Sequence, residues 1–199
     1  GEGPMVQSYR QRAVDGDAHA VGKLGRWHLA GQHGLPRLPD LGLALLERSS
    51  ELGDASTLLY LARKLLDGIP GILEADPARA ISLLEDAATR GNSGAVAQLG
   101  VIYASGISVP KQPTRALQYL DRGAADGNAL ALHYRGILFR DDLDDPQQAC
   151  LDLQAATLLG KEEALLDLEL LLLREQVLKR PLPEAEKWLC QQVRDGLRG

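Results

Sequence analysis

A chain of 199 residues, 45% hydrophobic and 25% charged, is long enough to bury a sizeable core. Its formal net charge of −5 argues against a nucleic-acid partner, which calls for a basic face. No apolar run reaches the length of about 18 residues that a membrane span needs, so no membrane insertion is expected. Leu and Ala dominate and aromatics make up only 4%, a composition suited to packed helices.

Residues 1–4, Gly1-Glu2-Gly3-Pro4, read as a vector-derived or frayed end outside the fold. No basic stretch followed by an apolar core opens the chain. No signal peptide is therefore read here, and the compartment stays open between cytoplasm and periplasm. Residues 5–199 are read as one domain, beginning with a lone capping helix over 5–16 whose Arg10 and Arg12 face solvent.

The remainder divides into helix–loop–helix units at about 17–53, 54–91, 92–127, 128–160 and 161–195. In the first, Val21, Leu24, Gly25 and His28 share one helical face. Gly25 is expected where two helix backbones approach closely, and Asp40 is expected to cap the second helix. In the second unit, Asp76-Pro77 supplies a cap and a first-turn proline. The third is the most regular. Val96, Leu99, Gly100 and Tyr103 form one stripe, Gly106 suits a left-handed C-cap, and Pro113 opens the second helix. Asn128 then caps the fourth unit, whose loop Asp141-Asp142-Leu143-Asp144-Asp145-Pro146 is acidic. The fifth carries a long helix with Leu165, Leu168 and Leu172 toward the core and a second stripe at Leu166, Leu170 and Leu173.

The units share a phase. The closing dipeptides Gly16-Asp17, Gly53-Asp54, Gly91-Asn92, Gly127-Asn128 and Gly160-Lys161 lie 37, 38, 36 and 33 residues apart. Eleven residues before the later turn glycines stand Gly42, Ala80, Ala116 and Ala149. A period near 36 with two helices per unit predicts an all-α fold, a right-handed superhelical solenoid of stacked helix pairs.

The third unit resembles the Sel-one-like repeat, a relative of the tetratricopeptide repeat. The residues that carry the likeness are Leu99-Gly100-x-x-Tyr103, Gly106-x-x-Val109, Arg115-Ala116, Tyr119 and Ala124-Ala125. The other units depart in places: Ala62 replaces the small Gly, His28 stands at the Tyr position, and Glu169 breaks the small position of the last unit. The resemblance implies a non-enzymatic adaptor or scaffold that binds a partner protein. A narrower role it allows is a bacterial immunity protein masking a secreted toxin, because some such proteins look like this family. A hydrolase is the competing class, on the pattern of Cys-rich relatives.

In related helix-pair repeats the first helices line the concave side, so their residues six, nine and ten after each turn are expected to face a groove. These supply the candidate protein-binding residues Lys23, Arg26, Trp27, Tyr60, Arg63, Lys64, Gln98, Ile102 and Tyr134. Trp, Tyr and Arg are common interface anchors. The alternative for Trp27 and Tyr60 is that they pack between successive helices.

No catalytic, cofactor or metal site is read. The histidines His19, His28, His33 and His133 lack metal spacing, and the acidic loop lacks the spacing of an EF-hand. Ser108-Val109-Pro110-Lys111 matches a Ser-x-x-Lys string, but Pro110 forbids the helical turn that chemistry needs. Cys150 and Cys190 sit in successive units rather than paired within one, and two buried free thiols are expected.

Overall fold

A computed structural model describes residues 3–196; Gly1 and Glu2 of the excluded end lie outside the described residues. The regular structure is helical: α1 (Pro4–Val14), α2 (Ala18–Ala30), α3 (Pro39–Glu51), α4 (Ala55–Asp67), α5 (Pro77–Thr89), α6 (Ser93–Ser105), α7 (Pro113–Ala125), α8 (Ala129–Asp141), α9 (Pro146–Leu158), α10 (Glu163–Val177) and α11 (Pro183–Gly196). It is an α-solenoid of stacked helix pairs. By its contacts the chain forms two compact units, residues 1–99 and 100–199.

Proline marks the phase. Pro4, Pro39, Pro77, Pro113, Pro146 and Pro183 each occupy the first position of a helix. There the missing N–H would have had no helical partner, and the fixed φ suits the first turn. Pro4 therefore belongs to α1, one residue ahead of the expected start. The same effect corrects the Asp40 expectation. Leu38 holds the cap position and Pro39 starts α3, so Asp40 falls in the first turn and complements the positive helix end instead.

Each closing turn is one repeated device. Gly16, Gly53, Gly91, Gly127 and Gly160 all have positive φ, between 70° and 90°. The residue after each glycine donates its N–H five residues back: Asp17 to Arg12, Asp54 to Ser49, Asn92 to Ala87, Asn128 to Gly123 and Lys161 to Ala156. This is the Schellman geometry, and glycine meets its left-handed residue without Cβ strain. After the first four turns the following side chain then caps the next helix, whereas Lys161 cannot and α10 begins without a side-chain cap. Asp17 accepts from the Ala20 N–H, Asp54 from Thr57, and Asn128 from Leu130 and Ala131. Within each of the first four pairs, the loop is tied back by an equivalent bond: Leu38 to His28, Asp76 to Leu65, Gln112 to Tyr103 and Asp145 to Phe139.

In the first unit, α1 packs on α2, α2 on α3, and α4 on α5, with α2 also touching α4. Gly25 and Gly42 let α2 and α3 meet at backbone distance. A Cβ on Gly42 would lie 2.8 Å from the Leu29 nitrogen and 2.9 Å from the Gly25 oxygen. In the second unit, α7 packs on α8, α8 on α9, and α9 on α10. Gly100 stands against Leu120 of α7, while Tyr103 stacks on Tyr119 at 6.0 Å with the Arg115 guanidinium 4.2 Å from the Tyr103 ring. The expected close contacts at Gly25 and Gly100 are both present.

Candidate functional site

Within the first unit, α2 carries Lys23 and Arg26 and α4 carries Tyr60, Arg63 and Lys64, and of these Arg26 and Lys64 meet the Tyr60 ring. Arg26 donates to the Ser56 carbonyl at 2.6 Å and lies over the Tyr60 ring, 4.5 Å from its centroid. Lys64 places its ammonium 5.6 Å from the same centroid. Burial pushes the Arg26 pKa down against the pull of Asp54 and Tyr60, and burial raises that of Tyr60. Lys23, Arg26, Tyr60 and Lys64 are half-buried and Arg63 is exposed. Gln98, also in this unit, is half-buried.

Two expected groove residues are core instead. Trp27 is 7% exposed and packs with Val6, Leu24 and Leu35, its ring 5.0 Å edge-on from Tyr9 and 4.5 Å from His33. It fastens α1 and the 31–38 loop to α2. Ile102 is 4% exposed. The physical reason is the width of the buried arc. Each first helix of a pair contacts its own partner helix and its neighbours in the stack, so at Trp27 and Ile102 the residue ten after the turn, only about 60° from the one at seven, falls inside, while Lys64 at the same position stays half-buried. Tyr134, in the second unit, is half-buried beside His133 at 5.4 Å.

The sequence reading missed a set of ion pairs in the second unit. Arg135 occupies the position filled by leucine in most other units. It donates to both oxygens of Asp152 at 2.7 Å and to Asp121 at 2.9 Å. The bonds from Asp152, reinforced by Asp121, raise its pKa further. His133 meets Asp167 at 2.7 Å, and Arg140 donates to that carboxylate at 2.7 Å. Burial opposes the charge on Asp167, but these two bonds outweigh it and hold its carboxyl below the usual range. Glu175, with no exposed surface, sits between Arg174 at 2.9 Å and Arg180 at 2.8 Å. An arginine on a leucine phase was the available signal, since it demands an acidic neighbour.

The acidic loop is structural. Asp141 binds Arg140, Asp142 binds Lys111, Asp144 binds Arg180, and Asp145 caps α9. Lys111 is thereby committed to Asp142 at 2.7 Å rather than to Ser108. His28 is a core residue whose Nδ1–H donates to the Pro36 carbonyl at 3.2 Å. Both cysteines are free. Cys150 is buried, and burial pushes its thiol up to about 11, which leaves it protonated and a poor nucleophile at neutral pH. Cys190 is exposed, contrary to expectation, because it lies on the outward side of α11. Both line a groove of about 990 Å³ beside Leu151, Pro181 and Trp188. Among the described residues, no group of three or more His, Cys, Asp or Glu side chains could hold a metal ion. No described helix is long and apolar enough to cross a membrane.

The Sel1 repeat model matches residues 18–54, 55–92 and 93–128, more than half of the chain. The chain belongs to the Sel1-repeat family. Sel1-repeat proteins are generally protein-interaction modules, and their solenoid is typically a non-catalytic scaffold. The fold is similar to that of c5321, a protective antigen present in uropathogenic Escherichia coli strains. That similarity has a TM-score of 0.78 at 23% identity over 95% of this chain and 40% of that one. A Sel1 repeat protein from Oxalobacter formigenes aligns with a TM-score of 0.70 at 23% identity, over 80% of this chain and 64% of that one. The chain thus spans less than two thirds of either protein. No curated protein matches its sequence.

Proposed function

We propose that this Sel1-repeat chain is a non-enzymatic adaptor or scaffold that binds an acidic segment of a partner protein against α2 and α4. The observation that carries this reading is the pair of cations against the half-buried Tyr60 ring, Arg26 at 4.5 Å and Lys64 at 5.6 Å from its centroid, with Lys23 on α2 and Arg63 on α4 adding positive charge to the same two helices. The cluster stands out because the chain as a whole is acidic. Arg63 is exposed and has no ion pair or hydrogen bond among the described residues. A carboxylate of the partner would find an unpaired guanidinium there, and an apolar side chain would find the Tyr60 face beside it. Gln98 adds a polar contact in the same unit. Tyr134, on the second unit, is a separate candidate contact. An immunity protein that masks a toxin is a special case of the same chemistry, distinguished by a single tight partner.

The test is the charge-reversal pair Arg63→Glu and Lys64→Glu, measured against a protein recovered with the wild-type chain. Affinity should fall at least about tenfold, equivalent to about 1.4 kcal/mol, and wild-type binding should weaken with added salt. Arg63→Glu should not move the melting temperature by more than about 2 °C, since Arg63 is exposed and exposed changes are near neutral. Lys64→Glu, at a half-buried site, also gives up the Tyr60 contact and should lower it slightly more. Unchanged affinity would remove α2 and α4 from the binding surface.

A further inference from the structure

The position after each closing glycine is filled by Asp17, Asp54, Asn92, Asn128 and Lys161. The first four cap the next helix, and asparagine caps about as well as aspartate. Asn92 accepts from the Ala95 N–H at 3.0 Å, and Asn128 from Leu130 at 3.0 Å and Ala131 at 3.1 Å. The cap therefore needs an oxygen and not a charge. At Asp17 the charge has a partner, because Arg12 donates to it at 2.8 Å. Asp54 differs. Its Oδ2 accepts from the Thr57 N–H at 2.8 Å and from the Thr57 hydroxyl at 2.6 Å, and its Oδ1 meets His19 Nδ1 at 3.3 Å. Among the described residues no lysine or arginine is bonded to Asp54. A carboxylate whose side chain is 14% exposed thus stands at the start of the helix that carries Tyr60, Arg63 and Lys64. Arg26 reaches the first turn of the same helix, where it donates to the Ser56 carbonyl at 2.6 Å. Its Nε–H is buried with no acceptor among the described residues. Burial pushes the Arg26 pKa down and Asp54 pulls it back up, so the two charges feel each other.

We propose that Asp54 is a built-in brake on the α2–α4 face, a carboxylate that weakens its hold on an acidic ligand. The inference rests on the reading that this face takes an acidic segment. A ligand carboxylate beside Arg26 meets the attraction of the cations and, a short way off, the repulsion of Asp54. Thr57 and His19 hold the Asp54 oxygens, so the carboxylate does not swing onto Arg26 and close the site. Asp54 therefore lowers the pull of the face without occupying it, and the contact with an acidic partner stays exchangeable. Asp54→Asn removes the charge alone. It leaves the cap in the form that Asn92 and Asn128 already use, and an amide oxygen accepts from the Thr57 N–H and hydroxyl as the carboxylate does.

Amide chemical shifts of the isotopically labelled full chain, titrated with a hexaglutamate peptide at low salt, test this. The wild type should bind weakly, with shifts centred on Arg26, Tyr60 and Arg63. Asp54→Asn should bind at least about threefold more tightly at the same residues, as the removal of one unit charge at roughly 8 Å implies. The gain should disappear at about 0.5 M salt. The melting temperature should stay within about 2 °C of wild type, because the cap is kept. Asp126→Asn removes the same charge from an exposed site at the end of α7 and should leave the affinity unchanged. Equal binding by wild type and Asp54→Asn overturns the brake while leaving the acidic-ligand reading in place. An equal gain from Asp126→Asn also overturns it, since net charge and not the place of Asp54 would then set the affinity. Binding by neither protein overturns the acidic-ligand reading itself, and the brake with it.

Discussion

Gly42→Ala should lower the melting temperature by roughly 4–10 °C, a cost of about 1–3 kcal/mol spread over a chain of this size. On an open helix face the same change would stabilise, because alanine exceeds glycine in helix propensity by about 1 kcal/mol. The sign reverses here because the new Cβ would lie 2.8 Å from the Leu29 nitrogen and 2.9 Å from the Gly25 oxygen. Both neighbours are backbone, so neither can swing aside, and α2 must move away from α3. Leu46, fully buried beneath the contact, then loses packing. Gly100→Ala should cost less. Its nearest neighbour is the Leu120 side chain, which can give by rotation. A calorimetric melt of the two variants decides this. Equal effects at both glycines would mean that α2 and α3 are not locked by backbone contact.

Asp152→Ala should cost about 3 kcal/mol, near the low end for breaking a buried ion pair, because Arg135 keeps Asp121 and some water. Asp152 is 4% exposed, and both its oxygens accept from Arg135 at 2.7 Å. Truncation leaves the guanidinium against α9 with only the exposed Asp121 carboxylate, at 2.9 Å, as its partner. The double change Arg135→Leu with Asp152→Ala should recover most of that loss. It removes the stranded charge and restores the leucine that most other repeats carry at this position. Denaturant titration gives the comparison. If the single and double variants unfold at the same midpoint, the pair is not what holds α8 to α9.

Most of the architecture was legible because it rests on local backbone chemistry. A glycine followed by Asp or Asn can be read as a Schellman turn and a cap without tertiary information, and four of the five turns have that form. The proline phase was equally visible, and it governs helix starts even where an aspartate next door invites a cap, as at Asp40. Side-chain direction was less legible. A buried stripe of four positions places Trp27 and Ile102 outward, whereas a helix with neighbours on several sides buries a wider arc. Tyr60 is half-buried, covered by Lys64 one turn on in α4 and by Arg26 of the preceding repeat, and the second contact is one that periodicity alone does not specify. The ion pairs of Asp152 with Arg135, of Asp167 with His133 and Arg140, and of Glu175 with Arg180 link residues on different helices or across a turn. A single sequence gives the unusual arginine but not its partner.

The central claim is that the chain recognises another protein through the cationic face of α2 and α4. Hydrogen–deuterium exchange of the chain, alone and saturated with a captured partner, measures this directly. The account predicts slowed exchange in the α2 and α4 peptides that contain Arg26, Tyr60 and Arg63, with the 69–75 loop unchanged. Protection confined to other helices, with α2 and α4 exchanging as in the free chain, would contradict it.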